Sequence, residues 1–389
     1  MSERRDFIKK SALGTAALVV GGMGFSAKSY GSIMGANERI NVAVVGIGGR
    51  GIAHINAWAD LKGSHNVRLK TLCDTDEQFF GPRSNSVIEK TGIKPSTEWD
   101  MRKVLDDKEI DAISFATPNH WHALGSIWAC QAGKHVFVEK PASHNIWEGR
   151  KMVEAARKYD RRVQVGFQNR SVNNVIEAIK FLHEGGIGEV YMARWGLNKN
   201  EHPVSVYSTG GIFGIDPNEC AQETPNTQTS VLKYKDGKIL EFETRGRYTN
   251  AEGKLDVKIG NIFYGSDAYL EINRSTWKAF REGEEKPFAG SKEDGGKEEE
   301  APSLVGSSDT AHWINFIDAM RSGRDETLNC DINEGFYSSA LPLMANISYR
   351  LGGRQLNFMD QYEKFDNDPA ANAMLSRSYR PPYIVPDIV

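Results

Sequence analysis

The sequence predicts an α/β protein in which a doubly wound parallel sheet is followed by a second domain containing β-hairpins. Between residues 39 and 168, short β-branched segments alternate with segments whose apolar residues recur at helical spacing, as in a parallel sheet covered by helices. In the second half, TSVLKYKDGKILEFETRGRY places a turn signal between two strand patterns. A chain of 389 residues, 40% of them hydrophobic, is long enough for two cores.

The charge and the cysteine spacing give no sign of a nucleic-acid-binding, disulfide-bonded or zinc-binding protein. A net charge of -3 gives no indication of a nucleic-acid partner. The cysteines lack CxxC and CxxH spacing, so we expect buried small residues rather than disulfides or zinc ligands. They are Cys73, Cys130, Cys220 and Cys330.

Residues 1–36 have the features of an export signal. Arg4 and Arg5 precede a Phe-Ile-Lys-Lys sequence and a short run of mostly small or apolar residues, too short to span a bilayer as a free-standing helix. The pattern resembles the twin-arginine signal S/T-R-R-x-F-L-K, which predicts recognition by the twin-arginine machinery and a periplasmic or exported protein. The alternative is a basic N-terminus before an amphipathic helix, and the glycines from Gly14 to Gly24 argue against that helix.

The segment RINVAVVGIGGRGIAHINAWADL predicts a strand, a glycine turn and a helix. Gly46, Gly48 and Gly51 form the G-x-G-x-x-G pattern of a dinucleotide-binding Rossmann domain, whose backbone amides approach a pyrophosphate at the helix N-terminus. The next strand, VRLKTLCD, ends in Asp74, where an acid binds the adenosine ribose hydroxyls. An acid there repels a 2′-phosphate, so NAD is favoured over NADP. The alternative is a glycine turn without a ligand.

The strands that follow are predicted to end at the same edge of the sheet. Helices near residues 101–105 and 122–132 alternate with the strands DAISFAT, HVFVEK and RVQVGFQ. Because the sheet is parallel, the carboxyl ends of its strands meet at one rim. The residues expected there are Gly46, Asp74, Thr117, Lys140 and Gln168.

The loop TPNHWHA contains two histidines. His120 and His122 at i, i+2 could indicate a metal site, but no third ligand occurs at a suitable spacing, so we predict none. We expect a rim loop that contacts the nicotinamide ribose, with His122 at the start of the next helix.

The motifs GIGGRG, CDTD, ATPNHWHA, VEKP and GFQNR, in this order and spacing, resemble the glucose/fructose oxidoreductase, inositol dehydrogenase and MocA family (Gfo/Idh/MocA). The resemblance implies NAD(P) binding by residues 37–165. It also implies a substrate and oligomerisation domain over residues 166–389, of α+β type with an open, mostly antiparallel sheet. Sugars, cyclitols or their derivatives are the implied substrates, and a homo-oligomer is expected.

The resemblance and the glycine pattern together give a set of candidate site residues. The lysine of E-K-P corresponds to Lys140, which is the candidate catalytic residue. The candidate cofactor-binding residues are Gly46, Gly48, Gly49, Arg50, Gly51, Asp74, Thr117, Pro118, Asn119, His122, Glu139, Lys140 and Gln168.

The chemistry of hydride transfer agrees with a base at Lys140. Oxidation of a carbinol requires the hydroxyl proton to leave as the hydride does, so a base must lie within hydrogen-bond reach. Lys140 ends an apolar strand and precedes Pro141, which has no N–H for a sheet. The alternative is a structural lysine that pairs with Glu139 or is solvated.

The second domain is shortened near residues 194–203. GEVYMAR and PVSVYSTGG resemble the first two strands of this domain in the family. The resemblance implies that these strands are parallel. The crossover that joins them in the family, with its H-x-x-D helix, is missing between them. His202 is nearby but has no Asp three residues later. We therefore expect a perturbed second domain in which no crossover helix covers this face of the sheet, so that its apolar positions meet water or another element. The segment REGEEKPFAGSKEDGGKEEEAPS is predicted to be a solvated loop.

The sequence thus predicts an exported NAD-dependent oxidoreductase that acts on a hydroxyl of a sugar, glycoside or cyclitol. Because no NAD pool can be presumed outside the cytoplasm, the cofactor would be tightly bound and regenerated on the protein. One alternative is a glycoside-cleaving enzyme that uses NAD by transient oxidation, elimination and re-reduction. The other is a dinucleotide-binding protein with impaired catalysis.

Overall fold

The computed structural model describes residues 38–194, 199–216, 218, 220–246, 260–291 and 309–389. The predicted export signal and the acidic part of the predicted solvated loop lie outside these residues. In the described ranges, no helix combines the length and the apolar character needed to cross a membrane.

Six described strands form a parallel sheet in the order β3-β2-β1-β4-β5-β6, which confirms the predicted doubly wound arrangement. The strands are β1 Ile40–Val45, β2 Val67–Cys73, β3 Ser96–Glu98, β4 Ala112–Phe115, β5 His135–Glu139 and β6 Val163–Gly166. The helices between them are α1 Gly51–Asp60, α2 Lys62–His65, α3 Phe80–Thr91, α4 Met101–Asp106, α5 His122–Gln131 and α6 Ile146–Lys158. The strand order reverses at β1, the position where open α/β sheets bind ligands.

Local sequence explains where these elements begin. Asp100 accepts a hydrogen bond from Arg102 N at the start of α4, and Asn145 accepts one from Glu148 N at the start of α6. In β5, residues 136–138 are fully buried, as expected of a central parallel strand covered on both faces.

Ten described strands form a second, mostly antiparallel sheet in the order β14-β13-β12-β11-β7-β10-β9-β8-β15-β16, which confirms the predicted open sheet. The strands are β7 Val190–Arg194, β8 Ser205–Gly211, β9 Thr227–Lys233, β10 Ile239–Arg245, β11 Asn261–Gly265, β12 Tyr269–Ile272, β13 Trp277–Phe280, β14 Ala289–Gly290, β15 Leu356–Met359 and β16 Lys364–Phe365. The remaining helices are α7 Asn173–His183, α8 Thr310–Ser322, α9 Ile332–Arg350 and α10 Pro369–Asn372.

The region predicted to be shortened lies between β7 and β8, which run in the same direction. β7 pairs with β10 in parallel. β9 is antiparallel to both β10 and β8, so β8 runs in the same direction as β10 and β7. The sheet is continuous on both sides of the connection, so the expected perturbation does not extend to strand pairing. The aligned apolar positions on one face are buried, so they meet other parts of the protein and not water, which is one of the two outcomes expected for them. They are Ala193, Leu240, Leu232 and Val206.

Helix α8 packs against the core of the first sheet, although it lies far along the chain. The Trp313 ring stacks on Phe137 of β5 with centroids 3.8 Å apart and meets Trp58 of α1 edge-on at 5.1 Å. All three rings are buried, so α8 completes the hydrophobic core beneath the Rossmann rim. The domain bounds at 37–165 and 166–389 remain a prediction.

Candidate functional site

The glycine turn joins the carboxyl end of β1 to α1. Gly46 has φ +86°, and a Cβ there would lie 2.7 Å from Ala116 C, while a Cβ on Gly51 would lie 2.0 Å from Gly46 O. These two positions accept only glycine because the backbone packs against itself. Gly48 and Gly49 have more room. A Cβ on Gly48 would meet only the Phe79 ring, at 3.5 Å, and a Cβ on Gly49 would meet nothing within 4 Å. The open space above them fits the close approach of a pyrophosphate.

Asp74 lies directly after β2, beside the glycine turn. Its Oδ2 accepts a hydrogen bond from Ile47 N at 2.7 Å, and its Oδ1 accepts one from Asp76 N at 3.1 Å. The carboxylate is partly exposed and remains accessible to a ribose. Asp74 therefore fixes the turn and presents a negative charge where the adenosine ribose of a dinucleotide lies.

We expect NAD to bind at least about tenfold more tightly than NADP, because like charges a few ångströms apart near a surface repel by on the order of 1–4 kcal/mol. Replacing Asp74→Asn removes the charge but keeps an oxygen that can accept from Ile47 N, so the preference for NAD should shrink. Calorimetry with both nucleotides on protein stripped of ligand measures this. Equal affinities for NAD and NADP in the native protein would contradict the assignment.

Glu139, at the end of β5, joins several elements of the rim. Its Oε1 accepts hydrogen bonds from Arg50 Nε at 2.7 Å, His54 Nε2 at 3.1 Å and Gln168 Nε2 at 3.2 Å. Since a carboxylate only accepts, His54 carries its proton on Nε2, and its Nδ1 accepts from Ser114 Oγ at 2.8 Å. Burial lowers the pKa of His54, which keeps the imidazole neutral. Burial alone would raise the pKa of Glu139, but the donors from His54 and Arg50 lower it to about 2.

This pKa predicts a specific acid sensitivity. The folded-state pKa of Glu139, about 2, lies below the ordinary value of 4.5, so its contribution to stability is complete above pH 4.5 and is lost as the pH falls toward 2. The difference corresponds to on the order of 3 kcal/mol. Urea unfolding should show Glu139→Gln less stable by about this amount at pH 7, with the gap to the native protein closing below pH 4.5.

The exposed Glu89 provides a matched control for that prediction. Glu89→Gln should leave the free energy of unfolding within about 0.5 kcal/mol of the native value at each pH. A stability gap for Glu139→Gln that stays constant from pH 7 down to pH 3 would show that the carboxylate is not the cause.

Lys140 follows Glu139 and lies exposed at the rim. Its backbone N–H donates to Glu139 Oε2 at 3.2 Å, and two residues later Ala142 N donates to Ser339 Oγ of α9 at 2.9 Å. The backbone is therefore held on both sides of the lysine. Within the described residues, the Lys140 side chain makes no hydrogen bond or ion pair, so the pairing with Glu139, one of the two structural alternatives, does not occur.

The loop after β4 contains Thr117, Pro118 and Asn119. Thr117 Oγ1 is buried and has no hydrogen-bond partner among the described residues. His122, buried at the start of α5, lies with Nδ1 2.7 Å from Pro141 O and Nε2 3.0 Å from Thr117 O, and burial lowers its pKa. Both ring nitrogens of His122 thus face backbone carbonyls and link this loop to the E-K-P segment.

No group of three or more side chains suited to hold a metal occurs in the part of the chain that the structure describes. His120 is exposed, and His122 has both nitrogens directed at carbonyl oxygens. The His122 ring is therefore engaged with the backbone of this loop and of the E-K-P segment.

The structure brings together further residues that the sequence reasoning missed. Asp309, just before α8, accepts from Arg50 Nη2 at 3.4 Å and from Arg274 Nη2 at 2.5 Å, which ties the glycine turn to the second domain. His54 lies one turn into α1, and its position after the glycine pattern was the only local signal for a role. The contacts of Asp309 and Arg274 have no local signal, because they join residues far apart in the chain.

The residues present fit an NAD cofactor. The accessible Asp74 carboxylate, the space above Gly48 and Gly49, and Thr117 Oγ1, which has no partner among the described residues, lie on the same rim in the order in which a dinucleotide crosses it. A sequence model described as "Oxidoreductase family, NAD-binding Rossmann fold" (GFO_IDH_MocA) matches residues 40–167. The first domain is therefore an NAD-binding Rossmann domain.

Curated relatives include glycoside hydrolases. The chain is 26% identical over 231 residues to a glycosyl hydrolase family 109 protein of Shewanella sp. (strain ANA-3), which covers 53% of this chain and 50% of that protein. It is 25% identical over the same length to an alpha-N-acetylgalactosaminidase of Shewanella oneidensis, with the same coverage. The chain spans about half the length of the curated relatives it matches.

Solved structures share the fold over most of the chain. A levoglucosan dehydrogenase in complex with NADH and levoglucosan superposes with a TM-score of 0.63 at 18% identity, covering 82% of this chain and 99% of the other. An aldose-aldose oxidoreductase of Caulobacter crescentus superposes with a TM-score of 0.62 at 19% identity, covering 82% and 100%. At these identities the likeness shows the two-domain fold.

Proposed function

We propose that this protein oxidises or reduces a carbohydrate hydroxyl. The proposal starts from the match of residues 40–167 to the Gfo/Idh/MocA oxidoreductase family with its NAD-binding Rossmann fold. The substrate class is a sugar, glycoside or cyclitol, and the cofactor is NAD, held tightly. Structures of similar fold described as complexes of a dehydrogenase with NADH and levoglucosan support the substrate class.

The observation that carries the proposal is the placement of Lys140. The neighbouring Glu139 is committed to Arg50 and His54, and the exposed side-chain nitrogen of Lys140 has no internal partner within the described residues. Lys140 lies at the carboxyl end of β5, on the side of β1 away from Asp74, where the nicotinamide half of a dinucleotide lies.

The chemistry assigns each group a role. NAD, when bound, supplies the acceptor for the hydride that leaves the carbinol carbon. Neutral Lys140 Nζ accepts the hydroxyl proton, so that the carbinol becomes a carbonyl and Lys140 becomes an ammonium. Glu139 holds the Lys140 backbone through its Oε2, and the contact between Ala142 and Ser339 fixes the segment on α9.

The proposal is tested on purified full-length protein. Denaturation should release NAD or NADH, and addition of one member of a panel of pyranosides, glycosides and cyclitols should change the NADH absorbance of the bound cofactor. A protein that neither contains nor binds NAD would overturn the proposal. Binding of NAD without a response to any panel member would remove the assigned substrate class.

A second candidate is a glycoside-cleaving reaction that uses NAD without net consumption, and the similarity to glycosyl hydrolase family 109 proteins favours it. In this reaction the sugar is transiently oxidised, the aglycone leaves by elimination, water adds, and the carbonyl is reduced again. The two candidates differ in their products. Cleavage releases free sugar and aglycone with no accumulated NADH, whereas simple oxidation yields a keto sugar with one NADH for each sugar oxidised.

A further inference from the structure

The C-terminal segment of the chain, residues 375–389, lies against α5 and α6; we refer to it as the C-terminal strap. Leu375 O accepts a hydrogen bond from Trp147 N at 3.1 Å near the start of α6, and Lys158 Nζ near the end of that helix donates to the carbonyl of Val389. Val389 is buried although it is the last residue. The strap is therefore docked on the first domain at both ends.

The strap also reaches the loop that follows β4. The ring of Tyr383 meets Trp121 edge-on, with centroids 5.3 Å apart, and lies 6.4 Å from Trp128 of α5. Trp121 ends the segment that begins at Thr117. The outer side of this rim loop is thus packed against the C-terminus of the chain.

Arg377 makes the polar contact between the strap and the loop. Its Nε donates to Glu148 Oε1 at 2.9 Å, and its Nη2 donates to the carbonyl of His120 at 3.0 Å. Tyr379 OH donates to the same Glu148 oxygen at 2.8 Å. The Glu148 side chain is fully buried, so it is a fixed anchor from which the guanidinium reaches the loop.

The loop is consequently held at two points. On the inner side, His122 contacts the carbonyls of Thr117 and Pro141, and on the outer side Arg377 binds the carbonyl of His120. Asn119 lies between these anchors. Loss of the outer anchor would leave only the inner one to position the backbone around Asn119.

The strand order shows which half of the cofactor this loop serves. β2, which ends beside Asp74, lies on one side of β1, whereas β4 and β5 lie on the other. Since the pyrophosphate binds at the glycine turn after β1, the adenosine half extends toward β2 and the nicotinamide half toward β4. The loop held by Arg377 therefore flanks the nicotinamide half.

We propose that Arg377 is a positioning residue for the nicotinamide half of the cofactor, acting through the backbone of the loop after β4. The inference rests on the NAD binding of the proposed function and adds a role for the C-terminal strap. Arg377 does not touch the reacting atoms in this arrangement. It orders the loop backbone that flanks the nicotinamide half, so its loss should affect ligands that contain nicotinamide and spare those that do not.

The test compares NAD with ADP-ribose, which lacks the nicotinamide ring, by calorimetry on full-length protein. Arg377→Ala should weaken NAD binding about tenfold or more, the scale of one hydrogen bond from a charged donor, and leave ADP-ribose binding unchanged. Arg380→Ala, on the same strap and exposed, is the matched control and should change neither affinity.

Further variants separate positioning from stability. Tyr379→Phe removes a donor from buried Glu148 but keeps the contact between Arg377 and the loop, so it should lower the melting temperature without changing the ratio of NAD to ADP-ribose affinity. Arg377→Lys keeps a positive charge near Glu148 but lacks the forked donor set, so it should recover the melting temperature and not the NAD affinity.

An Arg377→Ala variant that weakens both ligands equally, or neither, would overturn the inference. This outcome is distinct from failure of the proposed substrate class. A protein that binds NAD but oxidises no carbohydrate would refute that class, while the ratio of NAD to ADP-ribose affinities would still decide the role of Arg377.

Discussion

Lys140→Ala is expected to retain NAD binding and to lose hydride transfer by about 10²–10⁴-fold, the usual contribution of a positioned general base. Retention of binding follows from the structure. The glycine turn is tied to Glu139 through Arg50, and the lysine side chain takes no part in that contact. Rapid mixing with a substrate found in the carbohydrate panel, followed by NADH absorbance, measures the rate of the chemical step.

A second substitution at the same position tests the role as a base. Lys140→Arg keeps the positive charge but cannot be deprotonated, so it should be as slow as Lys140→Ala. Lys94→Ala, at an exposed lysine between α3 and β3, should react at the native rate. A native rate for Lys140→Ala would return Lys140 to the solvated lysine of the alternative interpretation.

The parts of this site that could be predicted from sequence are those with local spacing. The glycine turn, Asp74 and Lys140 each lie at a fixed distance from a strand pattern, and a parallel sheet brings strand ends to one rim. The partners of Glu139 could not be predicted in this way. Arg50 and His54 are 89 and 85 residues away from it, and no periodicity relates them.

The same limit applies to the fold. Nothing local in the sequence indicated that Trp313 of α8 would stack on Phe137 and complete the first core. The charged segment after β13 was predicted to be a solvated loop, yet its residues Ala289–Gly290 pair with β13 as an edge strand. A two-residue edge strand is too short to show an alternating pattern, and sheet edges tolerate charged neighbours.

The shortened crossover between β7 and β8 bears most directly on the rate of the reaction. The two strands are parallel, with β10 and β9 between them, so the chain must cross three strand spacings, roughly 14 Å at ~4.8 Å each. Residues 195–204 can span roughly 33 Å when extended, which is sufficient without a helix. A connection of this length can therefore reach from β7 to β8 without a helix, and its sequence does not contain the H-x-x-D motif that the resemblance implies would face Lys140.

Two buried histidines in the second half of the chain, His202 within this connection and His312 on α8, do not supply the histidine of that motif. His202 is buried against the rings of Phe336, Tyr337 and Phe358, with centroid distances of 4.8 to 5.1 Å. His312 is buried with Nδ1 at Ser171 Oγ and Nε2 at a backbone carbonyl. Both imidazoles are thus enclosed in the protein interior, and Lys140 lacks a proton-transfer partner from either.

We therefore expect the native protein to turn over its substrate slowly, and insertion of a crossover segment with an H-x-x-D helix between Arg194 and Trp195 to raise kcat by about a hundredfold or more, the contribution of a proton-transfer partner. The matched control is the same insertion with its His and Asp both replaced by Ala, which restores the helix without the chemistry. If both insertions raise kcat equally, covering the sheet is what matters. If neither does, or if the native protein already turns over a glycoside efficiently, Lys140 works without a histidine from the second domain.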